Sequence, residues 1–419
     1  MKVLIVGLGG VTRTFRNWPE RVIARDLARR GHQVRAIGML YPRIRDLTAE
    51  REEIDGVAVR RVPQTYWPNR PLAAALDEGP RPDVIHIFHP RNLLAAQVTA
   101  WASRHRVPTV YTWNGPLHDP YLVDDRERPF NAPRRYDRIV WTRAGLWRQL
   151  RRFPGLRAAR ELVRNYRLHW PLRAATHLIP CSRFEAEEMR RMGLTQPLTV
   201  VPQWLDAEAM AAEPTGMPAL DAPRPWILFV GQLTPRKGYD LALAALPHIV
   251  KRHPRASLLV VSGINTAGRE RMDRLSGELG VSGHLRFLGR LEDNALVNLY
   301  RSCDVYVSPT RYEGFGLTLL EAMACGAPVV CTDVPAANEI VRDGENGLLS
   351  PPEDAEALAA AVNRVLDDTD LRELLRAGGH RTCTEDFAPE VLVARLENAY
   401  AQVTRPPSVG SGIVASRVR

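Results

Sequence analysis

At 419 residues the chain exceeds what one hydrophobic core serves, so two domains are expected. With 45% apolar and 25% charged residues it reads as soluble and globular, and no stretch reaches the roughly 18 uninterrupted apolar residues of a membrane span. The net charge of +10 is almost wholly arginine, the lysines being Lys2, Lys237 and Lys251, so the total excludes little while each lysine gains weight.

The opening "MKVLIVGLGGV" has one lysine and a short apolar run with no small-residue cleavage site after it, which predicts a first strand rather than a signal peptide. Further strands are expected at Val34–Gly38, Val57–Val62, Asp83–Phe88, Thr109–Trp113, His177–Cys181 and Leu198–Val201, after Val3–Val6. Amphipathic helical patterns lie between them, such as Pro19–Arg30, which Gly31 ends. Residues 206–225, rich in Ala, Pro and Asp, read as a linker. A second series follows at Trp226–Gly231, Ser257–Ser262, Leu285–Gly289, Asp304–Ser308 and Pro328–Thr332. Strand and helix alternating in this way is the pattern of doubly wound parallel α/β sheets.

The expected organisation is an N-terminal domain over 1–205, the linker, and a second domain over 226–385. A C-terminal helix over 386–403 is expected to pack back on the first domain, with a disordered tail over 404–419. The five cysteines Cys181, Cys303, Cys325, Cys331 and Cys383 form no C-x-x-C, which argues for free thiols in a reducing cytoplasm and against a metal cage.

From Arg126 to Arg173 there are fourteen arginines against three acids, interleaved with Trp141, Trp147, Phe153, Trp170 and several leucines. One reading is an insertion whose apolar face packs on its domain while the arginines are solvated. The other is contact with an anionic membrane surface, here the inner face of the cytoplasmic membrane. No nucleic-acid reader motif is present, so no nucleic-acid partner is expected.

"EGFGLTLLEAMACG" places Glu313 on a strand exit and Glu321 on the helix after it, separated by the Gly314-Phe315-Gly316 break. Gly316, Leu317 and Thr318 then offer backbone N–H groups at a positive helix end, a seat for phosphate between two carboxylates. That order suits a ligand with hydroxyls at both ends and phosphates between them, and the plain alternative is a capped helix with solvated acids. Arg236 and Lys237, in the loop of "VGQLTPRKGYD", could neutralise a leaving diphosphate or be ordinary loop charges. "GLGG" at 7–10 does not complete G-x-G-x-x-G and is weak evidence for a dinucleotide.

"EGFGLTLLEAMACGAPVV", with "GQLTPRKGYD" and "GLGG", closely resembles the retaining glycosyltransferases of family 4, two-Rossmann-domain enzymes of the GT-B type. The resemblance implies a nucleotide-diphosphate sugar as co-substrate, an acceptor that it does not identify, and no metal or other cofactor. It implies that Glu313 binds the donor sugar, Glu321 the ribose, Gly316, Leu317 and Thr318 the phosphate, and Lys237 the diphosphate, with Gly9 and Gly10 facing the donor. Two departures stand out. Gln232 replaces a frequent Arg, leaving Arg236 as the second cation. Asn114 replaces a common His, leaving His118, four residues on, either as an imidazole near the acceptor or as an ordinary surface histidine. "DDTD" at 367–370 reads as solvated surface rather than a metal motif. The competing expectations are a nucleotide-sugar epimerase of the same fold and a non-catalytic, basic membrane-surface protein.

Overall fold

The computed structural model describes residues 1–13, 17–41, 47–63, 69–89, 92–113, 143–152, 155–206, 210, 220–263 and 266–404. Asn114 and His118, the N-terminal part of the basic segment, most of the linker and residues 405–419 lie outside them.

The first sheet contains β1 (Lys2–Val6), β2 (Gln33–Met39), β3 (Arg51–Ile54), β4 (Val57–Val62), β5 (Val84–Phe88), β6 (Thr109–Thr112) and β7 (His177–Ile179), in the order β3-β4-β2-β1-β5-β6-β7. The second contains β8 (Trp226–Val230), β9 (Ser257–Val261), β10 (Leu285–Gly289), β11 (Val305–Ser308), β12 (Val329–Thr332) and β13 (Leu348–Ser350), in the order β10-β9-β8-β11-β12-β13. All neighbouring pairs are parallel except β3 with β4. The helices in the first half are α1 (Pro19–Arg29), α2 (Arg70–Asp77), α3 (Leu93–His105), α4 (Arg143–Arg152), α5 (Leu156–Ala174) and α6 (Arg183–Arg191). Those in the second half are α7 (Tyr239–Arg252), α8 (Thr266–Glu278), α9 (Asp293–Ser302), α10 (Leu317–Ala324), α11 (Ala355–Asp367), α12 (Thr369–Arg381) and α13 (Pro389–Thr404).

Each sheet reverses its winding once, between β1 and β5 and between β8 and β11. Two loops diverge at such a point and leave a crevice beyond the strand ends, where ligands of open α/β sheets bind. Central strands such as β5 and β9 are buried along their whole length, as strands covered by helices on both faces must be.

One expected strand differs, and two further strands appear. Leu198–Val201 forms only an isolated bridge, Leu198 to Leu178, because prolines at 197 and 202 bracket it and cannot extend a ladder. The edge strands β3 and β13 were not anticipated. The first is mostly charged and the second three residues long, so neither gives an apolar run.

The two halves are tied together. Glu397 of α13 accepts from Arg30 Nε and Nη2 at 2.9 Å each, and Tyr400 OH lies 2.7 Å from His86 Nδ1 on β5. Where the chain leaves the first half it is anchored on α1 of the same half, Trp204 Nε1 donating to Asp26 Oδ2 at 2.8 Å and Asp206 pairing with Arg25. One buried apolar cluster runs from Val3 and Ile5 through Trp204 to Phe315 and Tyr400, so the last helix completes the core of the first half.

The basic segment behaves as two pieces. In α5, Leu162, His169 and Leu172 are buried and the helix packs on α3, while α4 has no buried residue.

Candidate active site

The exits of β8 and β11 meet at the second switch point. There Lys237 Nζ donates to Glu313 Oε2 at 2.6 Å, Arg236 Nη1 lies 3.5 Å from Oε1, and the Gly314 N–H lies 3.3 Å from Oε1. Burial by itself would push the Glu313 carboxyl up. The Lys237 and Arg236 charges and the Gly314 amide outweigh it and hold the group below the usual carboxylate range, so it is ionised at neutral pH.

The cations sit on a one-turn 3₁₀ helix, Pro235–Lys237, closed by Gly238 at φ 68°. A Cβ at Gly238 would lie 1.7 Å from Pro309 O, so the two loops approach backbone to backbone where only glycine fits. Arg311 fixes the turn: its N–H donates to Arg236 O at 2.8 Å, and its guanidinium reaches Pro235 O at 2.7 Å and Asp240 at 2.7 and 2.9 Å.

Glu321, on the second turn of α10, accepts from Asn17 Nδ2 at 3.0 Å and from Tyr300 OH at 3.2 Å. Burial raises its pKa, and these two bonds and the Lys237 charge oppose that rise. Asn17 comes from the first half, and its Oδ1 accepts the Asp206 N–H at 3.0 Å, so one amide bridges the halves at this carboxylate. Between the two acids, Gly316 caps α10 at φ 111° with no side-chain cap bond, leaving the first-turn amides of Leu317 and Thr318 without intrahelical partners.

A cavity of about 310 Å³ opens beside Glu321. Its walls include Gly231, Gln232, Leu317 and Tyr300 from the second half and Asn17 and Trp18 from the first. Glu313 lies outside this lining, beyond Lys237, whose side chain would be 3.6 Å from a Cβ on Gly231. The arrangement is therefore a cavity ending at one carboxylate, a positive helix end, two cations and a second carboxylate.

Of the residues singled out from sequence, Glu313, Glu321, Lys237, Arg236, Gly316, Leu317, Thr318 and Gln232 gather here. Gly9 stands beside Trp18, its nearest approach being 3.7 Å from a Cβ to Nε1. Gly10 instead backs onto Gly38 of β2, 3.1 Å from a Cβ to its Cα. In the "DDTD" stretch Asp368 caps α12 by accepting the Leu371 N–H, and Asp367 pairs with Arg252. Asn17, Trp18 and Tyr300 were missed. The first two lie between the glycine loop and Pro19 of α1 and could have been found by following that loop to the helix it feeds. Tyr300 falls on the apolar stripe of α9 and reads as core.

Two doubly wound domains facing a shared crevice, with this site on the second, define the GT-B fold class. Residues 9–209 match the family described as Glycosyltransferase Family 4, and residues 217–381 match that described as Glycosyl transferases group 1. The chain belongs to this glycosyltransferase family. It is 42% identical over 149 residues to a phosphatidyl-myo-inositol mannosyltransferase of Mycolicibacterium smegmatis, a match covering 35% of this chain and 37% of that protein. It thus spans well under half the length of that relative. Its fold matches sucrose-phosphate synthase of Thermosynechococcus elongatus with a TM-score of 0.69 at 23% identity, over 96% of this chain and 99% of that one. Anabaena HepE in complex with UDP-glucose matches with a TM-score of 0.70 at 18% identity, over 96% and 100%.

Proposed function

We propose that the protein transfers a hexose from a nucleotide-diphosphate sugar to a hydroxyl acceptor, with retention at the anomeric carbon. The observation that carries this reading is the pair of buried acids, Glu313 and Glu321, on either side of Lys237 and the open amides of α10. In it the ribose rests on Glu321 beside the cavity, the diphosphate on Lys237, Arg236 and the amides, and the sugar hydroxyls on Glu313. The bond from the anomeric carbon to the diphosphate oxygen breaks, and the acceptor oxygen bonds to the same face. Its proton passes to the departing phosphate. Fixed positive charge where the leaving group gains negative charge lowers the barrier, and Arg236, Lys237 and the helix end supply it without a metal.

Hydrolysis of a panel of UDP- and GDP-sugars tests the reading without an acceptor. Cleavage of at least one, undiminished by EDTA, is expected. Cleavage of none, or a donor sugar merely epimerised, would overturn it.

For the acceptor, an anionic lipid surface is supported by α4, the phosphatidyl-myo-inositol mannosyltransferase relative adding weight. Arg143, Arg148, Arg151 and Arg152 are exposed on it, and Trp147 is 66% exposed. Exposed cations and an aromatic on one short helix suit an anionic bilayer face. Flotation with phosphatidylcholine vesicles, with and without phosphatidylglycerol, tests this: binding is expected only to the anionic vesicles.

A further inference from the structure

Helix α6 of the first half meets the Glu313 loop end-on. Ser182, its N-cap, accepts the Glu185 N–H at 3.0 Å and donates its own hydroxyl proton to Gly314 O at 3.0 Å, one residue beyond Glu313. The amides of Arg183 and Phe184, the first two of the helix, donate to Glu339 Oε2 and Oε1 at 2.8 Å each. Glu339 belongs to the second half, on the 3₁₀ turn Ala337–Glu339 after β12. The Phe184 ring meets Tyr312 edge-on, centroids 5.6 Å apart. Tyr312 O accepts from Arg236 Nη1 at 3.2 Å, the same nitrogen that faces Glu313.

These contacts converge on one loop. Residue 312 takes a ring from α6 and 314 takes a hydroxyl, and the acid between them is the group read above as gripping the donor sugar. Glu339 lies beside Ile340, whose Cδ1 would be 3.5 Å from a Cβ at Gly316, so its turn also abuts the amide-bearing end of α10. A carboxylate on two first-turn amides satisfies donors that the helix cannot use and opposes its positive end.

The geometry points to Ser182 and Glu339 as positioning residues that seat Glu313 only when the two halves are closed on each other. The donor's nucleoside diphosphate rests mainly on second-half groups, Lys237, Arg236, Glu321 and the α10 amides, with Asn17 and Trp18 of the first half on one wall of the cavity, so it depends less on docking of α6 than the sugar does. The sugar is gripped only once α6 has docked. The inference rests on the glycosyl-transfer reading for its kinetic consequence, while its structural consequence stands apart.

The test uses the full chain carrying Ser182→Ala together with Glu339→Gln, and Ser182→Ala alone in case the pair impairs folding. Small-angle scattering should give a larger radius of gyration for the double variant at an unchanged thermal midpoint. An unchanged radius would overturn the clasp whatever the enzyme's activity. With a nucleotide sugar that the wild type hydrolyses, kcat should fall about tenfold, as expected for losing a bond to a charged group. Affinity for the matching nucleoside diphosphate should fall less than kcat does, and Ser182→Thr should keep the wild-type rate. A wild-type kcat in the double variant, or an equal loss of nucleoside-diphosphate affinity, would overturn the positioning role. If the wild type hydrolyses no nucleotide sugar, glycosyl transfer fails on its own and the scattering result still decides the clasp.

Discussion

Two buried acids, Glu20 on the first strand-exit rim and Glu313 on the second, behave in opposite ways. On the first, Glu20 of α1 lies under Gly7, where a Cβ would come within 2.5 Å of its Oε1, and 3.7 Å from His89 Nε2. Burial pushes it up to about 8, against a lowering bond from Trp18, so at neutral pH it is largely protonated. His86, on β5 nearby, is pushed down to about 3 by burial and is neutral too. On the second rim Glu313 is just as buried, yet ionised, because Lys237 and Arg236 reach it. Desolvation alone neutralises a group, and a cation within bonding distance reverses that. At neutral pH Glu20 therefore presents an uncharged hydrogen-bonding group, and Glu313 a charged one.

Stability against pH gives the largest expected effect. The Glu20 pKa is raised from 4.5 to about 8 on folding, so its contribution is complete below pH 4.5 and lost as pH rises through about 8. At roughly 1.4 kcal/mol per pH unit the full loss is on the order of 5 kcal/mol. Denaturant unfolding should show this decline in the wild type and a flatter profile in Glu20→Gln. Matching profiles would mean that the first rim holds no protonated acid.

On the second rim, Lys237→Ala removes the cation paired with Glu313, which the proposed reading also sets on the diphosphate, and donor hydrolysis should fall by roughly a hundredfold or more in kcat/KM. Glu313 loses its closest partner in that variant, so its pKa should rise, and carbon-13 NMR of labelled glutamate can follow it. A wild-type rate would make the ion pair merely structural. Glu321→Gln should raise the donor KM by about tenfold with little change in kcat, because on the proposed reading it touches only the non-reacting end. Smallest of all, Trp147→Ala should weaken flotation with anionic vesicles a fewfold and leave donor hydrolysis unchanged. Any loss of hydrolysis there would tie α4 to the site.

The second rim was far more legible in sequence than the first. Glu313, Glu321 and the α10 amides fall within one short stretch, and Arg236 and Lys237 follow a clear strand, so local spacing carried their geometry. Asn17 was hidden because its partner Glu321 lies 304 residues away and no local pattern links them. Ser182 reads as an N-cap, which it is, but its second bond to Gly314 exists only because the halves meet. Likewise the arginine-rich segment could be packed or exposed, and only tertiary contacts separated α5, which buries Leu162, His169 and Leu172, from α4, which buries no residue.

By itself the sequence determined the two parallel sheets, the glycine breaks and the order of acid, amides and acid, because each follows from apolar period and backbone freedom over a few neighbouring residues. Tertiary structure decided which buried acids keep their charge, which amide spans the crevice and where α6 docks. Those depend on distances between groups far apart in the chain, and desolvation and charge pairing act through space alone.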